Sequence, residues 1–153
     1  MEEWNCTPPP ESDLGDHDVP RDGAHLEHRR IALLITGGIA SMKAPFIARA
    51  LRREGADVTV FASEEALRYT TVDALEWSST RPVVTRLTAK AEHLSDDAPF
   101  DAYLAAPATY NTINKMASGV ADGVVTTTLA SALGRMERGC SRILLAPTMH
   151  GTL

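Results

Sequence analysis

Asp101-Ala-Tyr-Leu-Ala-Ala-Pro-Ala-Thr-Tyr-Asn-Thr112 decides the fold. The apolar run Ala102 to Ala106 reads as a buried strand, and Thr109 to Ser118 as the helix after it. A proline, two hydroxyls and an amide (Pro107, Thr109, Thr112 and Asn111) crowd the turn between them. In an open α/β sheet, ligands sit outside the carboxyl ends of the strands. This turn therefore reads as a binding edge rather than a plain connection.

Working outward, the same grammar recurs. Ile31-Ala-Leu-Leu-Ile-Thr36 is a continuous apolar run ended by Gly37 and Gly38, which suits a central parallel strand buried on both faces. Ser41 is placed to cap a helix running through Leu51 to about Glu54, where Gly55 stops it. Asp57 to Phe61 alternates and is β-branched, a second strand, and Ser63 is predicted to cap another helix. Strand, helix and strand within about 30 residues make a βαβ unit. Tyr69 to Leu87 is a weaker stretch, with Val83-Val-Thr85 either a short strand or an extended connection. Gly123 to Leu133 reads as a helix and Arg142 to Pro147 as a last strand of the central type. The fold class is α/β, a doubly wound, Rossmann-like parallel sheet in a single domain. Such a sheet normally continues into a covering helix, so the domain is expected to be incomplete at its C-terminal end.

Composition narrows the class. The 153 residues suffice for one domain with its own core. No apolar run reaches the length of a membrane span, and the start lacks a basic-then-apolar leader, so a soluble cytoplasmic protein is expected. Residues 1–28 hold 8 of the 20 acidic and 1 of the 15 basic side chains, together with Pro8-Pro9-Pro10. They read as a disordered acidic segment, with the folded domain at residues 29–153. The overall charge of −5 thus belongs to the head. The near-neutral body has no basic patch for nucleic acid, and Trp4 and Trp77 are too scattered for base stacking. Cys6 and Cys140 make no metal or disulfide framework.

The candidate chemistry lies at strand ends. At Gly37-Gly38-Ile-Ala-Ser41 the backbone can approach a ligand closely, and a helix amino terminus suits a phosphate. It is neither G-x-G-x-x-G nor a P-loop, and a plain tight turn explains it equally well. Ser63 repeats the arrangement after the second strand, and two such ends side by side favour one shared phosphate. His93, in Ala-Glu-His-Leu-Ser-Asp-Asp, reads as a surface residue when taken alone. Asp96 and Asp97 beside it fit no metal spacing, and no metal site is predicted. Met149-His150 comes after the last strand, at the same sheet edge as Thr109 to Thr112, and His150 is a candidate for chemistry or for packing.

Taken in order, these pieces resemble the flavin-containing cysteine decarboxylases. That family includes phosphopantothenoylcysteine decarboxylase and the enzymes that decarboxylate a peptide's C-terminal cysteine during lanthipeptide maturation. Ile35-Thr-Gly-Gly-Ile-Ala-Ser-Met-Lys-Ala-Pro45 is similar to the family's opening strand, turn and helix, and Phe61-Ala-Ser63 to its second phosphate contact. Thr71 and Glu76 to Pro82 resemble the family's next segment. His93 stands eight residues before Asp101, as the family's active-site histidine stands before its strand. Pro107 to Thr112 resembles Pro-Ala-Ser-Ala-Asn-Thr, and Gly119-Val-Ala-Asp122 resembles Gly-Ile-Ala-Asp. One motif departs. The family's Pro-x-Met-Asn-x-x-Met-Trp is here Pro147-Thr-Met-His-Gly-Thr-Leu153, with His150 in place of the asparagine that helps to hold the substrate carboxylate. The family's substrate flap and reducing cysteine would lie beyond Leu153.

The resemblance implies an FMN cofactor and a thiol-carboxylate substrate, either a small molecule or a peptide. It implies FMN contacts from Gly37, Gly38, Ser41, Ser63, Thr109, Asn111, Thr112 and Met149, and catalytic roles for His93, Asn111 and His150. By this resemblance, hydride leaves the carbon bearing the thiol for FMN while His93 takes the S–H proton. The thioaldehyde so formed lets the neighbouring carboxylate depart as CO2. It implies a homo-oligomer too, a trimer or a dodecamer built from trimers, with FMN between subunits. A second reading from another class is a non-catalytic flavin-binding subunit or regulator of an active decarboxylase, which His150 supports. A third, a nucleotide-binding α/β domain of another kind, is weakened because Phe61-Ala-Ser63 stands where an acidic residue should end the second strand.

Overall fold

In the computed structural model, which describes residues 5–8, 10–94 and 98–149, the apolar run near residue 31 lies inside a four-stranded sheet. The strands are β1 (Arg30–Ile35), β2 (Asp57–Ala62), β3 (Ala102–Thr109) and β4 (Arg142–Thr148). All pairings are parallel, in the order β2-β1-β3-β4. The helices are α1 (Ala44–Arg53), α2 (Val72–Ser79), α3 (Tyr110–Ala117) and α4 (Val124–Glu137).

The period-2 alternation of β1 sorts its side chains into two cores. Ile31, Leu33 and Ile35 face one side, with Val58 and Val60 of β2, Ala44 and Ala48 of α1 and Leu75 of α2. Ala32 and Leu34 face the other, with Phe61, Tyr103 and Ala105 and with Val125, Leu129 and Ala132 of α4. Both faces of β1 are dry, which explains why it reads as an unbroken apolar run, and the sheet is doubly wound as expected.

Several local expectations need correction. Ser41 does not cap α1. Ile39–Lys43 is a 3-10 turn, and α1 starts at Ala44 with Pro45 in its first turn, a position where the missing N–H costs nothing. The Ser41 hydroxyl is buried and donates to Thr36 O at 2.6 Å. Ser63 does accept from Ala66 N at 3.2 Å, but the element it caps is one 3-10 turn, Ala66–Arg68, rather than a helix. The weak stretch contains α2, capped by Thr71, whose side chain accepts from Ala74 N. Val84 is an extended connection carrying a single parallel bridge to Phe61. β3 runs through Pro107 to Thr109, because its ladder to β4 resumes after a shift between Ala105 and Ala108. α4 continues to Glu137. β4 is an edge strand instead of a central one, with Leu144 and Leu145 exposed.

At the amino ends of the strands, Asp101 accepts from Arg30 N at 2.8 Å and from Arg29 Nη1 at 2.9 Å. These contacts, the Arg30 N–H first, hold its carboxyl below the ordinary 3.8. A carboxylate whose native pKa is depressed stabilises the fold above its unfolded pKa, and that contribution is lost as pH falls through the native one. Asp101→Asn should therefore flatten the acid limb of a stability-against-pH curve below about pH 4, as read by urea melts, and should leave the slope near neutrality unchanged. The chain before β1 is fastened here as well. Arg53 grips Asp22 with two hydrogen bonds of 2.6 Å, and Leu26 N donates to Glu54 O. Among the described residues, no helix is long and apolar enough to cross a membrane.

Candidate functional site

β1, β2 and β3 run parallel and finish at one edge of the sheet. The chain leaves β1 for β2 on one side, while β3 returns on the other. That is the reversal of strand order at which open α/β sheets form a crevice. A cleft of about 680 Å³ lies there. The turn after β1 contributes Thr36, Gly37 and Gly38, the turn after β2 contributes Ser63, Glu64 and Glu65, and the end of β3 with α3 contributes Thr109, Asn111, Thr112 and Lys115. The amino-terminal turn of α4, with Asp122 before it, closes another side.

Thr36 holds the crevice in shape. The β1–β3 ladder ends at Leu34 and Ala105, so the strand ends separate and leave backbone groups without ladder partners. The Thr36 hydroxyl spans the gap, donating to Pro107 O at 2.7 Å and accepting from Thr109 N at 3.0 Å. It is buried, so both bonds are made out of water. Beside it, Gly38 has φ 142° and ψ 156°, a conformation that side-chain-bearing residues hardly adopt. A Cβ on Gly37 would meet Glu65 Cβ at 2.6 Å, so the turns after β1 and β2 touch only because that side chain is missing. At the third strand end, the Thr109 side chain accepts from Thr112 N and caps α3.

Of the residues predicted from sequence, Gly37, Gly38, Ser63, Thr109, Asn111 and Thr112 line this one cleft. Ser41 lies behind it, buried, with its hydroxyl bonded to Thr36 O. Met149 is exposed just past β4 and is not on the wall. His93 sits in a turn, half-buried, with Nδ1 shielded and without a hydrogen-bond partner, and it does not line the cleft either. His150, Asp96 and Asp97 lie outside the described residues. Thr36 and Lys115 on the wall were not anticipated. For Thr36 no local signal exists, since its partners are 71 and 73 residues away.

The wall is rich in hydroxyls and strand-end amides, and its charges are largely spent on one another. Glu65 pairs with Arg68 at 3.0 Å and Asp122 with Lys115 at 2.6 Å. The Lys115 ammonium is the main reason the Asp122 carboxyl stays below its usual range. Among the described residues, no group of three or more His, Cys, Asp or Glu side chains is placed to hold a metal ion. The arrangement suits an anionic, hydrogen-bonding ligand held by neutral donors at strand ends.

Comparison with known proteins agrees with this geometry. The chain is 36% identical over 132 residues to the coenzyme A biosynthesis bifunctional protein CoaBC of Thermococcus kodakarensis, covering 84% of this chain and 32% of that one. It spans about a third of the length of the curated relatives it matches. Among solved structures, the FMN-dependent cysteine decarboxylase TvaF from thioviridamide biosynthesis superposes with a TM-score of 0.70 at 25% identity, covering 82% of this chain and 76% of that one. The FMN-dependent cysteine decarboxylase SpaF shares the fold, with a TM-score of 0.71 at 22% identity over 83% of this chain and 72% of that one. The Flavoprotein family matches residues 21–153, beginning within the segment that Asp22 and Leu26 fasten to the body, and the chain belongs to that family.

Proposed function

We propose that the chain binds FMN in the carboxyl-edge cleft and catalyses oxidative decarboxylation of a cysteine-derived carboxylate, a small molecule such as phosphopantothenoylcysteine or the C-terminus of a peptide. The observation that carries this reading is the convergence of Gly37-Gly38, Ser63 and Thr109-Thr112 from three separate strand ends on one cleft, in a chain of the Flavoprotein family.

The residues present fit the cofactor. The cleft volume falls in the range of small-molecule and cofactor sites. The bare Cα of Gly38 and the Ser63 and Thr112 hydroxyls are groups that hold a phosphate without a cation. Thr109 and Asn111 supply polar contacts to a ring system, and Ser41 acts from behind by fixing the turn after β1. FMN, when bound, supplies an acceptor for the hydride leaving the carbon that bears the thiol. His93 takes the proton from the substrate sulfur, a task suited to an imidazole near neutral pH. A protonated His150 holds the substrate carboxylate as a cation, where relatives use an amide, and Met149 packs beside the ring.

His93 and Met149 do not line the cleft of a single copy, so this reading requires a homo-oligomer, a trimer or a dodecamer, to complete the site. Exposed Ile39, Met42 and Phe46, spaced along the 3-10 turn and the start of α1, support association at that edge. The likeness to enzymes of coenzyme A biosynthesis supports a soluble, cytoplasmic setting.

The reading is tested by incubating flavin-loaded protein with a peptide ending in cysteine, and separately with phosphopantothenoylcysteine. Loss of CO2 and two hydrogens from either, by mass spectrometry, is expected. Bound flavin with neither substrate consumed would favour the non-catalytic subunit instead. His93→Asn should retain flavin and lose turnover by about 100-fold or more; a variant with unchanged turnover would remove His93 from the mechanism.

A further inference from the structure

Lys115, near the end of α3, and Asp122, just before α4, both line the cleft, and Lys115 Nζ donates to Asp122 Oδ2 at 2.6 Å. Asp122 belongs to the Gly119-Val-Ala-Asp122 stretch, to which the flavin reading gives no task. Its other oxygen, Oδ1, lies 3.2 Å from Thr126 Oγ1, whose proton is shared between it and Gly123 O. The same Thr126 oxygen accepts from Gly123 N at 2.9 Å and from Asp122 N at 3.1 Å. One continuous chain of hydrogen bonds therefore runs from α3 through Asp122 to the first turn of α4, and that turn is part of the cleft wall.

We infer that Lys115 and Asp122 act together as a positioning pair, locking the amino-terminal turn of α4 into the wall and so setting affinity for the flavin; this rests on the FMN reading above. Lys115 is the one cation among the described residues that line the cleft. A lone ammonium there would attract a phosphate directly. This one already faces a carboxylate, so the pair adds little net charge, and its contribution is where it holds the helix. The two side chains are 32% and 52% exposed, and ion pairs of that exposure contribute little to global stability. Placement of the wall is a different quantity, because small displacements of contact groups weaken binding steeply.

The test is an FMN titration, read by quenching of flavin fluorescence, on the wild-type chain, Lys115→Met, Asp122→Asn, the double variant and Lys115→Arg, with thermal melts in parallel. Each single variant should lose roughly tenfold in affinity with a melting temperature close to wild type. The double variant should be no worse than the poorer single, and Lys115→Arg should keep most of the affinity. Multiplicative losses in the double variant would overturn the inference. So would weakening by Lys115→Met alongside unchanged or tighter binding by Asp122→Asn, since that pattern marks a direct lysine contact. Wild-type protein that binds no FMN would remove the flavin reading itself and this inference with it, whereas wild-type binding with an additive cycle removes only the positioning pair.

Discussion

Gly38→Val protein is expected to fold and to purify without flavin. The backbone at this position, φ 142° and ψ 156°, lies where only glycine is at ease, and a side chain there costs about 1–3 kcal/mol. A Cβ alone would sit 3.6 Å from Thr109 Cγ2, an ordinary contact. The two further methyls of valine would occupy the cleft between the β1 and β3 turns. Strain and obstruction act on the same few atoms, so FMN affinity should fall by about a hundredfold or more. The sheet and both cores lie behind the turn, and the far-ultraviolet spectrum should be unchanged. Gly119→Ala is the matched control. Gly119 also has positive φ, 70°, but nothing lies within 4 Å of its added Cβ and it does not line the cleft. It should lose a little stability and keep its flavin. A Gly38→Val protein that binds FMN as tightly as wild type would place the flavin elsewhere.

The second large effect is on stability. Thr36→Val keeps the shape of the side chain and removes only the hydroxyl. Pro107 O and Thr109 N–H, at 2.7 and 3.0 Å from that oxygen, would lose their shared partner where water does not replace it. Leaving a buried group unsatisfied costs about 1–3 kcal/mol, so the two together should cost about 2–4 kcal/mol in urea unfolding. Thr36→Ser retains both bonds and should recover most of the loss. A change under about 0.5 kcal/mol, the size of an ordinary surface substitution, would mean that the strand ends are held by something other than this hydroxyl.

Most of the frame was legible because its signal is local. β1 and β3 are covered on both faces, and such strands appear as continuous apolar runs. Gly37-Gly38 and Thr109 mark where they stop, and those marks led to six of the residues on the cleft wall. The parts that were not legible depend on what lies across from them. α2 is short and mixed in polarity, and only its Thr71 cap distinguishes it from loop. The apolar run of β4 resembles that of a central strand, yet Leu144 and Leu145 are exposed at the sheet edge, because hydrophobicity says that a face is to be covered and not by what. Ser41 and Thr36 are both hydroxyls at strand-to-helix turns. Their local context does not reveal that one turns back onto the other's carbonyl while the other bridges two strands. Lys115 became part of the site only when α3 and α4 were placed in space.

The measurement that bears most directly on the flavin assignment is the absorbance spectrum of the purified protein, with release and identification of whatever chromophore it carries. The expected result is a yellow protein whose released cofactor is FMN, or a colourless one that turns yellow and quenches flavin fluorescence when FMN is added. A protein that carries no flavin and leaves the fluorescence of added FMN unchanged would contradict it.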